Sequence, residues 1–134
     1  MHACVIHSGV QERTFTPFRD IWVPLDLSNA ASFNGILAHA AADFFGSRGD
    51  VNSSEILKFK TEAIGIINKW LGTAVTATND EVFAGVVRLL TFERYWGSRE
   101  RFDLHKHGLR HMVKARGGYQ AFEPNWRLQL VLSL

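Results

Sequence analysis

Apolar residues recur at steps of three and four along most of this chain, and that spacing predicts amphipathic helices rather than strands. Phe33, Ile36, Leu37, Ala40, Ala41, Phe44 and Phe45 trace the first stripe, with Asp26 or Ser28 placed to cap its start, and predict a helix over residues 29–45. Ile56, Phe59, Ala63, Ile66, Ile67, Trp70 and Leu71 predict a second over 54–71, closed by Gly72. Thr78 or Asn79 can cap a third over 79–96, whose first turn places Asp80 and Glu81 favourably against the helix dipole. Phe102, His105, Leu109, Met112, Val113 and Arg116 fall on one face of a fourth over 99–116, stopped by Gly117 and Gly118. After Pro124 a fifth begins over 125–134, so apolar at its end that it reads as cut short at the C-terminus.

Two stretches break the pattern. Residues 1–25 hold Pro17 and Pro24 among Phe15, Phe18 and Trp22, and predict a packed, loop-rich segment with room for one helical turn at 18–22. The β-branched run at 73–78 lacks a neighbouring strand to pair with and is read as a loop or a fraying helix end. The expectation is an all-α antiparallel array of four to five helices, forming a single partial domain over 1–134 and truncated at the C-terminus.

Composition narrows this picture without adding chemistry. A chain of 134 residues can bury a real core, and a net charge of +2 does not by itself announce a nucleic-acid or membrane partner. Cys4 is the single cysteine, which excludes an internal disulfide and a cysteine-rich zinc module and points to a reducing compartment. No signal peptide is evident and no apolar run reaches the roughly 20 residues of a membrane span, so no membrane association is expected.

Three segments in order carry a family resemblance. They are Pro17-Phe18-Arg19-Asp20-Ile21-Trp22-Val23-Pro24 followed by the Leu37-Ala38-His39-Ala40-Ala41 helix; Glu62-Ala63-Ile64-Gly65-Ile66-Ile67-Asn68-Lys69-Trp70-Leu71 leading to Thr78-Asn79-Asp80-Glu81; and His105-Lys106-His107-Gly108-Leu109-Arg110-His111-Met112-Val113-Lys114-Ala115-Arg116-Gly117-Gly118. Over roughly residues 17 to 134 the chain resembles the middle regulatory region of fungal-specific transcription factors, and the third segment is its most recognisable part. The binuclear zinc cluster that usually accompanies that region is absent from this chain, so DNA binding is not carried over. The resemblance implies a non-enzymatic helical domain in the nucleus, regulating transcription through a protein partner, self-association or a small-molecule effector, and structural packing for His105. Apart from the resemblance, the default location is the cytoplasm.

The chemical candidates are weak against this background. Asp103, His107 and His111 share one helix face at four-residue steps, a spacing that permits a metal, but Arg110 and Lys114 lie on the same face and mark it as solvated. His105 is expected on the core side, bonded to backbone or Glu93; the two would form an acid–base pair only beside a nucleophile or substrate cleft, which no nearby motif supplies. Cys4 has no nucleophile signature around it. Arg116-Gly117-Gly118 ends a helix, where the dipole repels anions, so it reads as a cap rather than a phosphate loop. Residues 93–118 carry seven basic side chains against three acidic ones, yet their helical pairing spacing favours a solvated face over direct nucleic-acid contact. Trp22, Trp70, Trp96 and Trp126 are too dispersed for a base-stacking platform. Accordingly no catalytic, cofactor-binding or metal-ligating residue is assigned, and no cofactor is expected. The alternative is a stand-alone helical protein binding a small apolar ligand, or carrying catalysis, in a pocket lined by Phe33, Trp70, Phe83 and His105.

Overall fold

Pro24 has no backbone N–H, and that omission shapes the start of the fold. In the computed structural model, which describes residues 3–4, 13–14, 16–46 and 54–133, the chain makes a widened π-type turn over Phe18–Trp22 and runs directly into a short helix α1, Val23–Asp26, with Pro24 in its first turn. Pro24 cannot donate to the carbonyl four residues back, that of Asp20; Arg127 supplies a donor instead, with Nε 2.7 Å from that oxygen. The loop-rich segment expected over 1–25, with its one turn allowed at 18–22, is therefore helical from Phe18 to Asp26, which brings the α-helices to six among the described residues. Two residues on each side, Ala3–Cys4 (β1) and Arg13–Thr14 (β2), pair antiparallel with Ala3 opposite Thr14. All other regular structure among the described residues is helical, so the chain is all-α.

The long helices are α2 (Ala30–Gly46), α3 (Ser54–Leu71), α4 (Asp80–Trp96) and α5 (Arg99–Arg116), followed by a 3-10 turn at Tyr119–Phe122 and the short α6 (Trp126–Leu132). The starts of α2, α5 and α6 are fixed by side chains that accept the unpaired N–H groups of the first turn, whereas Asn79 stands at the start of α4 without a side-chain cap bond. Asn29 Oδ1 accepts from Ser32 N at 2.8 Å, Ser98 Oγ from Arg101 N at 3.1 Å, and Asn125 Oδ1 from Leu128 N at 3.2 Å. Asn29 thus caps α2, not Asp26 or Ser28: Asp26 is buried in an ion pair and the Ser28 hydroxyl bonds to Leu25 O. Between α3 and α4, Thr76 Oγ1 donates to Trp70 O at 2.5 Å and Ala77 N to Thr73 O at 3.0 Å, so the β-branched run is a set of turns.

α4 is the central element, touching α1, α2, α3, α5 and α6. Ala31 meets Ile67 and Val82 at one end of the α2–α3–α4 triangle, while Ala38, Ala42, Ile56 and Phe92 meet at the other. Hence α3 runs antiparallel to both its neighbours. α2 approaches α4 closely because Gly85 faces Ala31 and Ile67, where an added Cβ would come within 3.1 Å of either. On the opposite face of α4, Phe83 and Val87 pack with Leu109, Phe122, Leu128 and Val131 from α5, the 3-10 turn and α6. Each fully buried aromatic there contributes roughly 1.5–3 kcal/mol by leaving water. Leu128 and Val131 of α6 are buried against α4, while Trp126 and Leu130 of the same helix are exposed, and the Ser133 N–H and hydroxyl both bond to Leu130 O.

α5 ends as its glycines require. Gly117 (φ 122°) and Gly118 (φ 92°) adopt left-handed backbone that other residues resist, and the Gly118 N–H returns to Val113 O at 2.9 Å.

Candidate functional site

The interior of this bundle carries charge. Asp26 of α1 and Arg88 of α4 form a two-pronged pair, Nε to Oδ1 at 2.9 Å and Nη2 to Oδ2 at 2.7 Å, with both side chains almost fully buried. Arg88 also reaches Thr91 Oγ1 at 3.2 Å and covers the Trp22 ring at 4.6 Å. Gly35 of α2 makes space for it, since a Cβ there would lie 2.6 Å from Arg88 Cγ. Burial pushes the Asp26 carboxyl above its ordinary value, and the hydrogen bonds and charge of Arg88 pull the other way.

Glu93, one turn further along α4, is the second buried acid. Its Oε1 accepts from Lys60 Nζ of α3 at 2.7 Å, and Lys60 also lies over the Phe92 ring at 5.0 Å. Of the two partners expected for His105, backbone or Glu93, the second is thereby removed: His105 is half-buried on α5 and makes no hydrogen bond to Glu93 among the described residues. Glu93 Oε2 rests against Gly97, where a Cβ would overlap it. The Gly97 backbone is extended and open to any residue (φ −102°), so the objection to a side chain is steric. Gly97→Ala should therefore lower stability by about 1–3 kcal/mol; a thermal melt unchanged from wild type would show that the carboxylate is not held against Gly97.

Arg116 ties a third place together. Its guanidinium binds the Asp80 carboxylate, donates to Thr78 O and Ala121 O, each at 3.2 Å, and stacks 4.0 Å above the Phe122 ring. Asn125 Nδ2 reaches the other Asp80 oxygen at 3.0 Å. Arg116 thus closes α5 against the start of α4 and the entry to α6, a use that its core-facing position foreshadowed without naming its partners.

The remaining candidates do not converge. His107 and His111 are exposed, Nε2 to Nε2 3.2 Å, while the Asp103 carboxylate turns away to Arg99 at 3.7 Å. Among the described residues no group of three such side chains could hold a metal ion. The Cys4 side chain lies outside the described residues. Phe33 faces outward from α2 and Phe83 is sealed edge-to-face against Phe122 at 4.7 Å, so Phe33, Trp70, Phe83 and His105 do not line one pocket. Trp22 packs under Arg88, Trp126 lies half-exposed under Arg127, and Trp96 donates to His39 Nδ1 at 2.8 Å, each doing a different packing task.

His39, part of the 37–41 stretch, gives no chemical signal in the sequence because it sits inside an apolar helix with one charged residue, Asp43. It is half-buried among Phe92, Tyr95 and Trp96. Burial and the nearby Arg88 hold its pKa below the usual 6.5, against a smaller opposing pull from Asp43. The unfolded chain therefore takes up this proton first as pH falls below about 6.5. Stability associated with neutral His39 is complete above that pH and is lost on acidification through the window below it. Urea titrations between pH 7.5 and 5 should show this slope in wild type and a shallower one in His39→Gln; identical slopes would remove His39 as its source.

An open groove crosses α4, α5 and α6. Two adjoining cavities of about 290 and 410 Å³ share Val87, Leu90, Lys106 and Val131. The first extends to Leu109, Val113 and Arg110, the second to Phe102, Tyr95 and Arg94. The floor is aliphatic and aromatic, and its charged side chains are all cations.

The class defined by these features is an all-helical domain whose charged interior fixes helix positions. Residues 2–133 match the fungal specific transcription factor domain, and the chain belongs to that family. No curated protein and no solved structure matches it. Among the described residues no helix is long and apolar enough to cross a membrane.

Proposed function

We propose that this chain is a non-enzymatic regulatory domain, acting in the nucleus, that modulates transcription by binding a protein partner or a second copy of itself, with a small-molecule effector as a further input. Membership of the family across nearly the whole chain carries this reading. It is supported by the use made of the buried charges: Asp26, Arg88, Glu93 and Arg116 are all engaged in contacts between helices, and this leaves the surface to carry recognition. DNA contact belongs, in this reading, to a module outside the chain.

The test is to fuse the full chain to a DNA-binding module with no regulatory activity of its own and to measure a reporter under that module's site. Reporter output should change in one direction or the other relative to the module alone. Equal output would overturn the regulatory reading.

A further inference from the structure

We propose that the groove across α4, α5 and α6 is a docking site for an acidic amphipathic peptide segment of a partner protein. This deepens the regulatory reading and rests on it. The argument begins with charge. Arg94, Lys106 and Arg110 line the groove, and none has a carboxylate partner among the described residues. Arg94 and Lys106 instead flank the Phe102 ring, at 6.0 and 5.7 Å from its centre. Glu93 and Asp103 line an adjoining depression that Arg94 and Lys106 also border, but they pair elsewhere: Glu93 Oε1 with Lys60 at 2.7 Å and Asp103 with Arg99 at 3.7 Å. An apolar floor with unpaired cations along its margin is complementary to apolar side chains flanked by carboxylates.

Shape and chemistry then separate the occupants. Nucleic acid needs a row of cations tracking phosphates beside exposed stacking rings, whereas this groove has three cations around a floor that is mainly aliphatic, Val87, Leu90, Leu109, Val113 and Val131, with Tyr95 and Phe102 toward one end. A small ligand fills a single cleft, whereas these two hollows adjoin one another across α4, α5 and α6 and offer the extended contact that a peptide segment takes. A helix laid in the groove would place residues at steps of three and four on the aliphatic floor and its acidic flanks beside Arg94, Lys106 and Arg110.

The experiment pans a displayed library of random 16-residue peptides on the full 134-residue chain and, in parallel, on its R94E/K106E/R110E variant. Arg94 and Arg110 are exposed and Lys106 is half-buried, so the variant should fold, as a circular-dichroism melt will check; R94Q/K106Q/R110Q serves if it does not. Expected is enrichment of net-negative peptides with apolar residues at helical spacing, whose affinity by fluorescence polarisation drops about tenfold or more on the variant and weakens with salt. Enrichment of neutral or basic peptides, equal binding to the variant, or no enrichment over bare support overturns the proposal. The reporter fusion keeps the two readings apart. If the variant retains wild-type output and no acidic peptide is enriched, the groove proposal alone fails; if the wild-type fusion is inert while acidic peptides bind the groove, the regulatory reading alone fails.

Discussion

Replacing Arg88 with methionine is expected to lower the free energy of unfolding by about 3–5 kcal/mol, because it leaves the Asp26 carboxylate buried without its cation. The pair joins residues 62 apart in sequence, and its two hydrogen bonds fix α1 against the middle of α4. The substitution also removes the guanidinium from the Trp22 ring and from Thr91 Oγ1. The pH dependence gives a second sign. Burial already pushes Asp26 up, and without Arg88 nothing named opposes that push, so the folded variant binds a proton above the pH at which the unfolded chain does. Its deficit should therefore shrink as pH falls toward the ordinary carboxylate range. Replacing both partners, as in Asp26→Leu with Arg88→Met, should recover much of the loss, since no lone charge then remains inside. Urea unfolding of the two single variants and the double variant measures all three quantities; a single-variant loss below about 1 kcal/mol, the scale of an exposed pair, would show that Asp26 and Arg88 are hydrated in the folded protein.

Helices were legible because their signal is local. Phe33 to Phe45 repeats every three or four residues within one element, and Gly72 and Gly117 mark ends through backbone chemistry that needs no distant partner. The polar interior was harder to read because its partners are far apart in sequence. Arg88 and Glu93 do carry a signal, a charge in phase with Phe92 and Ala84 on buried faces of α4, yet nothing local names Asp26 or Lys60 as their counterions. Local reasoning offered His105 either backbone or Glu93 and offered the cap of α2 to Asp26 or Ser28, whereas Glu93 and Asp26 are taken by Lys60 and Arg88 across the bundle. The helical turn allowed at 18–22 is present, and only its continuation into Val23–Asp26 was hidden, by a proline that reads locally as a breaker. Pro24 instead occupies a first turn, where its missing N–H costs no hydrogen bond. The groove had only half a signal: an excess of basic residues in 93–118 was visible, but the aliphatic floor beneath them comes from three helices at once.

Phe122→Ala should cost about 3–5 kcal/mol, as truncation of a fully enclosed aromatic does when its surroundings cannot collapse into the space. The site is bounded by rigid neighbours: Phe83 stands edge-on at 4.7 Å, and the Arg116 guanidinium, held by Asp80, covers the ring at 4.0 Å. Because Arg116 bonds to the carbonyl of Ala121, next to Phe122 in the chain, the two residues anchor the same turn from two directions. Arg116→Met should therefore destabilise on its own, and the effects of the two substitutions should not add. Once Phe122 is gone, Arg116 has lost the ring it stacks on, so its removal costs less by about 0.5–3 kcal/mol. A double-mutant cycle measured by chemical unfolding gives that coupling directly. Strict additivity would mean that the guanidinium acts through Asp80 and Thr78 alone, leaving the 3-10 turn to be held by Phe83 and the aliphatic side chains of α6.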